Sequence, residues 1–414
     1  MASSQTNHQA QAAHQASVLS LRVQSIKESP TLAITAKAAK YKVEGRPIIG
    51  LAAGEPDFDT PQHIKDAAKL AIDNGFTKYT PVAGIPGLKK AIVNKFKHEN
   101  GFDYALNEVI VGVGGKQTIF NLCLAVLNKG DEVIIPAPYW VSYADIALVA
   151  EAVPVIVECG IEQGFKLTAQ QLEAAITPKT KLFIINSPSN PTGSVYSLSE
   201  LQALGEVLLK HPHVLVATDD MYEHVNLTGD KFYNILNAAP SLKDRCIVLN
   251  GVSKAYSMTG WRIGYAAGPA YIIKAMEILQ SQSTSNATSI SQVAAQAALE
   301  GSQDCITPMV TAFKERHTYV VNRFNTMPGL SCLMAGGAFY AFPDARDAIV
   351  NLHKAGKLQV ATDMAFAEYL LEAFDVAVVP GSAFGAEGYF RISFATSMDN
   401  LRNALDRIEK ALTI

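Results

Sequence analysis

The stretch NGVSKAYSMTGWRIGY, from Asn250 to Tyr265, decides the fold. The apolar run that leads into it, CIVLN (246–250), predicts a buried strand. Small and polar residues follow, with Lys254 just past the predicted strand end and Arg262 eight residues later. A single lysine in a loop is most often an ordinary surface cation. A functional interpretation of Lys254 therefore depends on what lies at the ends of the other strands.

The composition is typical of a folded globular protein. Of the 414 residues, 49% are hydrophobic and 18% are charged, and the formal net charge is −3. The sequence has no basic block of the kind that binds nucleic acid, and no apolar run near the roughly 18 residues that span a bilayer. Five widely spaced cysteines without a C-x-x-C pair favour neither a disulfide framework nor a zinc site, and indicate a reducing, cytoplasmic location.

Short and nearly continuous apolar runs recur through residues 60–310. They are EVIVGV (108–113), EVIIP (132–136), KLFIIN (181–186), HVLVATD (213–219), CIVLN (246–250) and RIGYAA (262–267). Helical segments lie between several of them, and the pair Thr60-Pro61 predicts a helix that is capped by Thr60 and has Pro61 at its first position. Continuous apolar runs are typical of strands covered on both faces. The pattern predicts an α/β fold with a mainly parallel central sheet.

The two ends of the chain differ from this central region. Residues 1–18 are polar and rich in Gln, Ala and Ser, and they lack the apolar segment of a secretory signal, so we expect a disordered tail. Residues 311–414 mix predicted strands and helices. We expect a large domain over 61–310 and a smaller α+β domain formed by residues 19–60 and 311–414.

Polar and aromatic residues follow five of the predicted strands. The segments are GGKQT (114–118), APYWVSY (137–143), SPSNPTG (187–193), DDMYEH (219–224) and GVSKAYSMTGWR (251–262). In open α/β sheets, ligands bind beyond the carboxyl ends of the strands. The segments therefore predict one site to which each strand contributes a part.

These segments match two familiar sequence motifs only in part. Gln117 stands where a Walker A loop has Ser or Thr and where a dinucleotide fingerprint has glycine. GVSKA resembles the nucleophile elbow of hydrolases, but Ala255 replaces its final glycine and no HGGG-type segment precedes it. A glycine turn before a predicted helix remains, and its free backbone N–H groups can bind one phosphate.

The side chains at the strand ends match the chemical groups of pyridoxal 5′-phosphate. Arg262 and the Gly114-Gly115 turn suit the phosphate, and Trp140 offers a flat face for the ring. Asp219 can pair with a protonated ring nitrogen.

The remaining groups of this cofactor are its ring oxygen and its aldehyde. Asn190 and Tyr222 can form hydrogen bonds with the ring oxygen, and Lys254 can form a Schiff base with the aldehyde. We therefore interpret Lys254 as the residue that binds the cofactor covalently.

The chain resembles the class I aminotransferases of pyridoxal-phosphate fold type I. It is most similar to the bacterial and plant subgroup of aspartate aminotransferases, some of which also act on prephenate. The resemblance extends from about Leu19 to Leu412 and rests on motifs that include LAAGEPDFDTP, KYTPVAGIPGL, GGKQ, PYWVSY, NSPSNPTG, SKAYSMTGWRIGY, GAFY, VVPGSAFG and FRISFATS. It implies fold type I, pyridoxal 5′-phosphate as cofactor, and transfer of an amino group between aspartate or glutamate and a 2-oxo acid.

The resemblance also implies roles for the matching residues. Lys254 is expected to be catalytic, as the covalent partner of the cofactor and the carrier of the substrate's Cα proton. The other expected cofactor contacts are Gly115, Lys116, Trp140, Asn190, Asp219, Tyr222 and Arg262. Tyr79 is expected to reach the phosphate of the neighbouring subunit's cofactor, which implies a homodimer with shared sites. The expected substrate contacts are Gly54, Trp140, Asn190 and Arg391, with Arg391 on the α-carboxylate.

The sequence departs from the best-known branch of the family at two places. Gly251 stands where that branch has a phosphate-binding serine. The segment SQSTSNATSISQ (281–292) carries no charge, although that branch supplies from it an arginine for the substrate's distal carboxylate. The resemblance to the closer subgroup implies that Lys116 takes this role, with Thr31 as a hydroxyl partner and Lys27 as a second cation linked to prephenate.

Two other kinds of function remain open. Further reactions of fold type I, such as transfer from neutral or aromatic amino acids or C–S β-lyase chemistry, use the same cofactor site. A binding or regulatory module on this scaffold would carry a basic DNA-binding domain ahead of the match. Only an uncharged, Gln-rich segment precedes the match here, and every catalytic position is filled.

Overall fold

The structure is a computed structural model that describes residues 18–26 and 30–413. The predicted tail up to residue 17 and Lys27 lie outside the described residues. None of the helices within these two ranges is long and apolar enough to cross a membrane.

The described strands are short and fall into three sheets. In chain order they are β1 (Ile49–Gly50), β2 (Val109–Gly112), β3 (Glu132–Ala137), β4 (Val153–Glu158), β5 (Thr180–Asn186), β6 (Leu215–Asp219), β7 (Cys246–Gly251), β8 (Gly264–Ala267), β9 (Tyr340–Ala341), β10 (Val376–Ala377), β11 (Val379–Pro380) and β12 (Phe390–Ser393).

The α-helices lie between and around these strands. They are α1 (Leu21–Gln24), α2 (Pro30–Val43), α3 (Gln62–Asp73), α4 (Pro86–Lys95), α5 (Gly115–Val126), α6 (Ser142–Val149), α7 (Ala169–Ala175), α8 (Leu198–Lys210), α9 (Ile235–Ala238), α10 (Ala270–Ser281), α11 (Ser289–Glu300), α12 (Ile306–Phe324), α13 (Arg346–Lys354), α14 (Asp363–Phe374) and α15 (Met398–Leu412).

The central sheet has seven strands in the order β2-β8-β7-β6-β5-β3-β4. Strand β8 is antiparallel to both of its neighbours, and the other pairs are parallel. Alternate residues of one strand enter two different hydrophobic cores. Phe183 and Ile185 of β5 pack into one core, and Leu182 and Ile184 pack into the other. This two-sided burial explains why the strands read as continuous apolar runs.

One strand was not predicted from the sequence, and the predicted start of one helix was wrong. Strand β4 was not predicted, and it lies at the edge of the sheet, where its residues are only partly buried. Helix α3 begins at Gln62, so Pro61 is the residue before the helix rather than its first residue. Thr60 does not cap this helix, because its hydroxyl donates a hydrogen bond to Ser257 O at 2.7 Å.

The C-terminal part of the chain builds a separate antiparallel sheet, in the order β11-β12-β9. It has its own hydrophobic core, to which α12, α14 and α15 contribute. The N-terminal segment joins this part, because β1 pairs in parallel with β10. The proposed domain boundaries at 18, 60 and 310 stay predictions.

Two properties of the central sheet position the site. The parallel strands β5, β6 and β7 end at the same edge, which brings together the segments that follow them. Because β8 runs the other way, its beginning lies at that edge. This places Arg262, two residues before β8, beside the segments that follow the parallel strands.

Candidate active site

A cavity of about 440 Å³ lies at this edge of the central sheet. Most of the predicted site residues form its walls. These residues are Gly54, Gly115, Lys116, Trp140, Asn190, Asp219, Tyr222, Lys254, Arg262 and Arg391. A cavity of this size accommodates one small molecule.

Lys254 lies inside the cavity and is held at its tip. Its Nζ donates a hydrogen bond to Gly54 O at 2.6 Å. Burial lowers the pKa of Lys254 to about 8, and the cation of Arg391 acts in the same direction. A lysine with this pKa is partly neutral near physiological pH, and only the neutral amine is a nucleophile.

Asp219 ends strand β6 and presents its carboxylate to the cavity. Oδ2 accepts a hydrogen bond from the Tyr143 hydroxyl at 2.5 Å, and Oδ1 accepts one from the Met221 backbone N–H at 3.2 Å. Burial raises the pKa of Asp219, and the two donors oppose that rise. A buried carboxylate that is fixed in this way is suited to pair with a cationic group of a ligand.

An anion-binding cradle lies where helix α5 begins. A Cβ atom on Gly114 would lie 2.3 Å from Arg262 Nη2, and one on Gly264 would lie 2.3 Å from Gly115 N. Only glycine therefore allows the guanidinium and the start of the helix to approach this closely. Arg262 has a left-handed backbone (φ 58°), a conformation that is costly for a residue with a side chain. The guanidinium and the free N–H groups of α5 together favour a phosphate.

A side chain at Gly251, where the best-known branch has a serine, would be crowded. A Cβ atom at this position would lie 3.0 Å from Met221 Cε and 3.1 Å from Gly264 Cα. A serine would therefore require Met221 or the strand beside it to move.

Arg391 of β12 is buried, with its guanidinium directed to the cavity. Nη1 donates to Asn190 Oδ1 at 2.8 Å, and Nη2 donates to Ala52 O at 2.7 Å. The rings of Tyr340 and Phe384 lie on the guanidinium, with centroids 4.4 Å and 4.9 Å from Cζ. Within the described part of the chain, Arg391 Nε is buried without a hydrogen-bond partner. An anchored guanidinium with an unmet N–H is suited to a carboxylate of a ligand.

Lys116 and Trp140 lie next to each other in the cavity wall. Lys116 Nζ is 5.1 Å from the centroid of the Trp140 ring. Burial lowers the pKa of Lys116, and the Arg262 cation acts in the same direction. The Trp140 ring meets Tyr143 edge to face, with centroids 5.3 Å apart, which fixes the plane of the indole.

Three predicted site residues are not among the described residues of this cavity wall. Tyr79 is 91% exposed on the loop between α3 and α4. Lys27 lies outside the described residues. Thr31 lies in α2, and the description covers only its backbone. The roles of these three residues stay predictions.

Several residues of the cavity wall were not singled out from the sequence, and three of them form hydrogen bonds with predicted site residues. Tyr143 bonds to Asp219, and Asn186 donates from Nδ2 to Asp219 O at 2.8 Å. Tyr340 forms a hydrogen bond with Tyr222. All three lie in quoted motifs, PYWVSY, NSPSNPTG and GAFY, so the motifs contained a signal that residue types alone did not resolve.

A buried ion pair between Lys95 and Glu223 lies directly after the cavity residue Tyr222 in the sequence. The Glu223 carboxylate accepts hydrogen bonds from Lys95, from Asn250 Nδ2 at 2.7 Å and from Asn100 Nδ2 at 3.0 Å. Burial alone would raise the pKa of Glu223, but the Lys95 ammonium holds it at about 2. The ion pair therefore links the loop after β6 to the end of α4, and Asn250 links the same carboxylate to β7.

Comparisons with known proteins relate the chain to one family. The family described as aminotransferase class I and II matches residues 46–408. An aspartate/prephenate aminotransferase of Nitrosomonas europaea is 63% identical over 395 residues, which cover 95% of this chain and 100% of that protein. The crystal structure of the aspartate aminotransferase of Rhizobium meliloti has a TM-score of 0.89 at 50% identity, covering 95% of this chain and 98% of that one. The aspartate aminotransferase of Thermus thermophilus with maleate has a TM-score of 0.88 at 41% identity, covering 95% and 99%.

Proposed function

The chain belongs to the aminotransferase class I and II family and has the α/β fold type I predicted from its sequence, and on this premise we propose its substrates and the roles of its residues. We infer that it moves an amino group between aspartate or glutamate and 2-oxo acids, with prephenate as a further acceptor. The names of its relatives support this range. The observation that carries the proposal is the cavity that brings Lys254, Asp219 and Arg391 together.

The cavity fits pyridoxal 5′-phosphate, the cofactor on which this family depends. The cradle that a Cβ at Gly114 would fill would hold the phosphate, through Arg262 and the backbone of Gly115 and Lys116. Asp219 would pair with the ring nitrogen. The residues proposed for the ring oxygen and the ring face are Tyr222, Asn190 and Trp140.

When bound, the cofactor supplies an aldehyde and an electron-withdrawing ring. Lys254 supplies the amine that reacts with it, and the hydrogen bond from Nζ to Gly54 O keeps this amine in place. We propose that the same Nζ accepts the proton from the substrate Cα and returns it. Asp219 keeps the ring nitrogen protonated, because a buried carboxylate favours a cationic partner.

Arg391 is proposed to bind the α-carboxylate of the substrate. Its bonds to Asn190 and Ala52 fix the guanidinium in the cavity wall. Because Arg391 is only 3% exposed, a carboxylate bound there displaces little water and forms strong charge-assisted hydrogen bonds. The Gly54 backbone is proposed to add a further contact.

Lys116 is proposed to bind the second carboxylate of an acidic substrate. The Thermus thermophilus relative was solved with maleate, which carries two carboxylates, and Lys116 is a cation in the wall of the cavity here. Thr31 and Lys27 are proposed as additional contacts, with Lys27 serving prephenate.

We propose a cytoplasmic homodimer with shared sites. In it, Tyr79 contacts the phosphate of the cofactor that is bound by the neighbouring subunit. Tyr79 is 91% exposed, yet its loop is fixed. Gln292, itself buried, accepts from the Ile85 N–H at 2.8 Å and donates to Thr80 Oγ1 at 2.9 Å. A large aromatic side chain that is exposed on a fixed loop is typical of an interface.

The proposal is tested by assay of the purified chain with pyridoxal 5′-phosphate. With L-aspartate and 2-oxoglutarate it should form oxaloacetate and glutamate, and prephenate should replace 2-oxoglutarate as acceptor. Activity with alanine or phenylalanine but not aspartate would instead assign it to neutral or aromatic substrates. Release of pyruvate and ammonia from cystathionine, without amino transfer, would assign it to C–S β-lyase chemistry.

A further inference from the structure

Tyr340 connects two parts of the site. It begins strand β9 in the C-terminal sheet and is fully buried, and its side chain forms part of the cavity wall. Its hydroxyl lies 2.8 Å from the hydroxyl of Tyr222, in the loop that follows β6 of the central sheet. The hydrogen bond therefore joins the sheet that carries Arg391 to the loop that directly follows Asp219.

The direction of this hydrogen bond decides what Tyr222 can offer a ligand. Each hydroxyl has one hydrogen, so only one of the two tyrosines donates to the other. If Tyr222 donates to Tyr340, it can only accept from a group in the cavity. If Tyr340 donates, the hydrogen of Tyr222 remains available to that group.

The surroundings of Tyr340 favour it as the donor. Arg391 Cζ lies 4.4 Å from the centroid of its ring, and a cation on the face of a phenol makes the O–H a stronger donor. The hydroxyl also lies against Gly54, where a Cβ would be only 3.0 Å from the oxygen. Among the described residues, the Tyr340 hydroxyl forms its hydrogen bond with Tyr222.

We propose that Tyr340 is a positioning residue whose hydroxyl donates to the Tyr222 oxygen and so commits the Tyr222 hydrogen to the ring oxygen of the cofactor. A hydroxyl that accepts one hydrogen bond becomes a stronger donor in the next, so the pair stabilises negative charge on that oxygen better than Tyr222 alone. This inference rests on the proposed function, because it requires pyridoxal 5′-phosphate in the cavity.

The test compares wild type with Tyr340→Phe, Tyr222→Phe and the double variant. The two readouts are the dissociation constant of pyridoxal 5′-phosphate and the pH midpoint of the bound cofactor's absorbance change. We expect Tyr340→Phe to raise the dissociation constant about 2- to 10-fold, the range for one neutral hydrogen bond. It should also move the pH midpoint to a higher value. Without the Tyr340 hydroxyl, negative charge on the ring oxygen is stabilised less by the tyrosines, so the ring oxygen stabilises a nearby proton more strongly. In the Tyr222→Phe background, Tyr340→Phe should change neither value further.

Tyr104→Phe is the matched control. Tyr104 is also buried, and its hydroxyl has no hydrogen-bond partner among the described residues, so this variant should match wild type in both readouts. A Tyr340→Phe protein that melts at a lower temperature but keeps the wild-type dissociation constant and midpoint would overturn the proposal in favour of a purely structural role. Equal effects with and without Tyr222 would overturn it as well. If wild type itself bound no pyridoxal 5′-phosphate, the proposed function would fail instead.

Discussion

Lys254 Nζ donates a hydrogen bond to Gly54 O at 2.6 Å, across 200 residues of sequence. The bond joins the segment after β7 to the segment that follows β1. From the sequence, Lys254 is expected to bind the cofactor, and the Gly54 backbone is expected to contact the substrate. The hydrogen bond places the amine proposed to bind the cofactor next to the backbone group proposed to contact the substrate. A substrate that displaced Nζ from Gly54 O would therefore lie beside the free amine.

The pKa of Lys254 predicts how the cofactor-free protein reacts with pyridoxal 5′-phosphate. Burial lowers this pKa to about 8, and only the neutral amine attacks an aldehyde. The rate of cofactor attachment, followed by absorbance, should therefore rise about tenfold per pH unit below about pH 8 and level off above it. A rate that kept rising towards the pKa of an ordinary lysine would show that burial does not activate this amine.

Replacing Asp219 should separate cofactor binding from catalysis. Asp219→Asn keeps the shape of the side chain but removes the anion that favours a protonated ring nitrogen. We expect the cofactor to bind while the single-turnover rate with aspartate falls about 10- to 150-fold, the value of one charge-assisted hydrogen bond. Tyr143→Phe, which removes a donor to Asp219 but leaves the charge, should lower this rate less. Unchanged rates in Asp219→Asn would make Asp219 a structural acid at a strand end.

Lys116→Met should distinguish acidic from neutral substrates. Loss of one charge-assisted hydrogen bond should reduce kcat/KM for aspartate and glutamate about 10- to 150-fold, whereas alanine and phenylalanine should change little. Lys243→Met is the control, because Lys243 also lies near an aromatic ring, that of Tyr104 at 5.5 Å, but outside the cavity wall. Equal losses for all four donors would assign Lys116 to the cofactor phosphate.

The exposed Tyr79 predicts a dimer in which each site is completed by the other chain. Sedimentation at micromolar concentration should give twice the mass of the chain, and Tyr79→Phe should raise the dissociation constant of the cofactor about 10- to 150-fold through loss of a bond to a charged phosphate. Tyr271→Phe, at a tyrosine that is 67% exposed on α10, should leave it unchanged. A monomer with full activity would contradict shared sites.

The central sheet could be predicted because strands that are buried on both faces have continuous apolar sequences. Strands β5, β6 and β7 are continuous apolar runs, and the edge at which they end follows from their parallel direction. Strand β4 (VPVIVE) was missed although it is also largely apolar. It contains Pro154, a residue that sheets tolerate mainly at an edge, and β4 lies at the edge. Thr60 was assigned to a helix cap because its type and position suit one, but its hydroxyl found a partner in the distant segment that contains Ser257.

Residues of the cavity could be predicted from the sequence where the type of side chain indicates its chemistry. Lys254 and Asp219 lie at predicted strand ends and carry groups that match pyridoxal 5′-phosphate, whereas Arg391 was assigned only from the family resemblance. All three lie in the cavity wall. The residue types of Tyr143 and Tyr340 do not indicate a role of this kind. Each matters through a hydroxyl that meets a partner on another element, Asp219 and Tyr222, and only the folded chain reveals those contacts.

The most direct test of the account is to find the lysine that binds the cofactor. The purified protein with pyridoxal 5′-phosphate is reduced with borohydride, digested, and the pyridoxyl-bearing peptide is identified by mass spectrometry, with Lys254→Ala as the control. We predict that the label lies on Lys254 and that the Lys254→Ala protein carries none and loses turnover by several orders of magnitude. A label on any other lysine, or near-normal turnover of Lys254→Ala, would contradict the account.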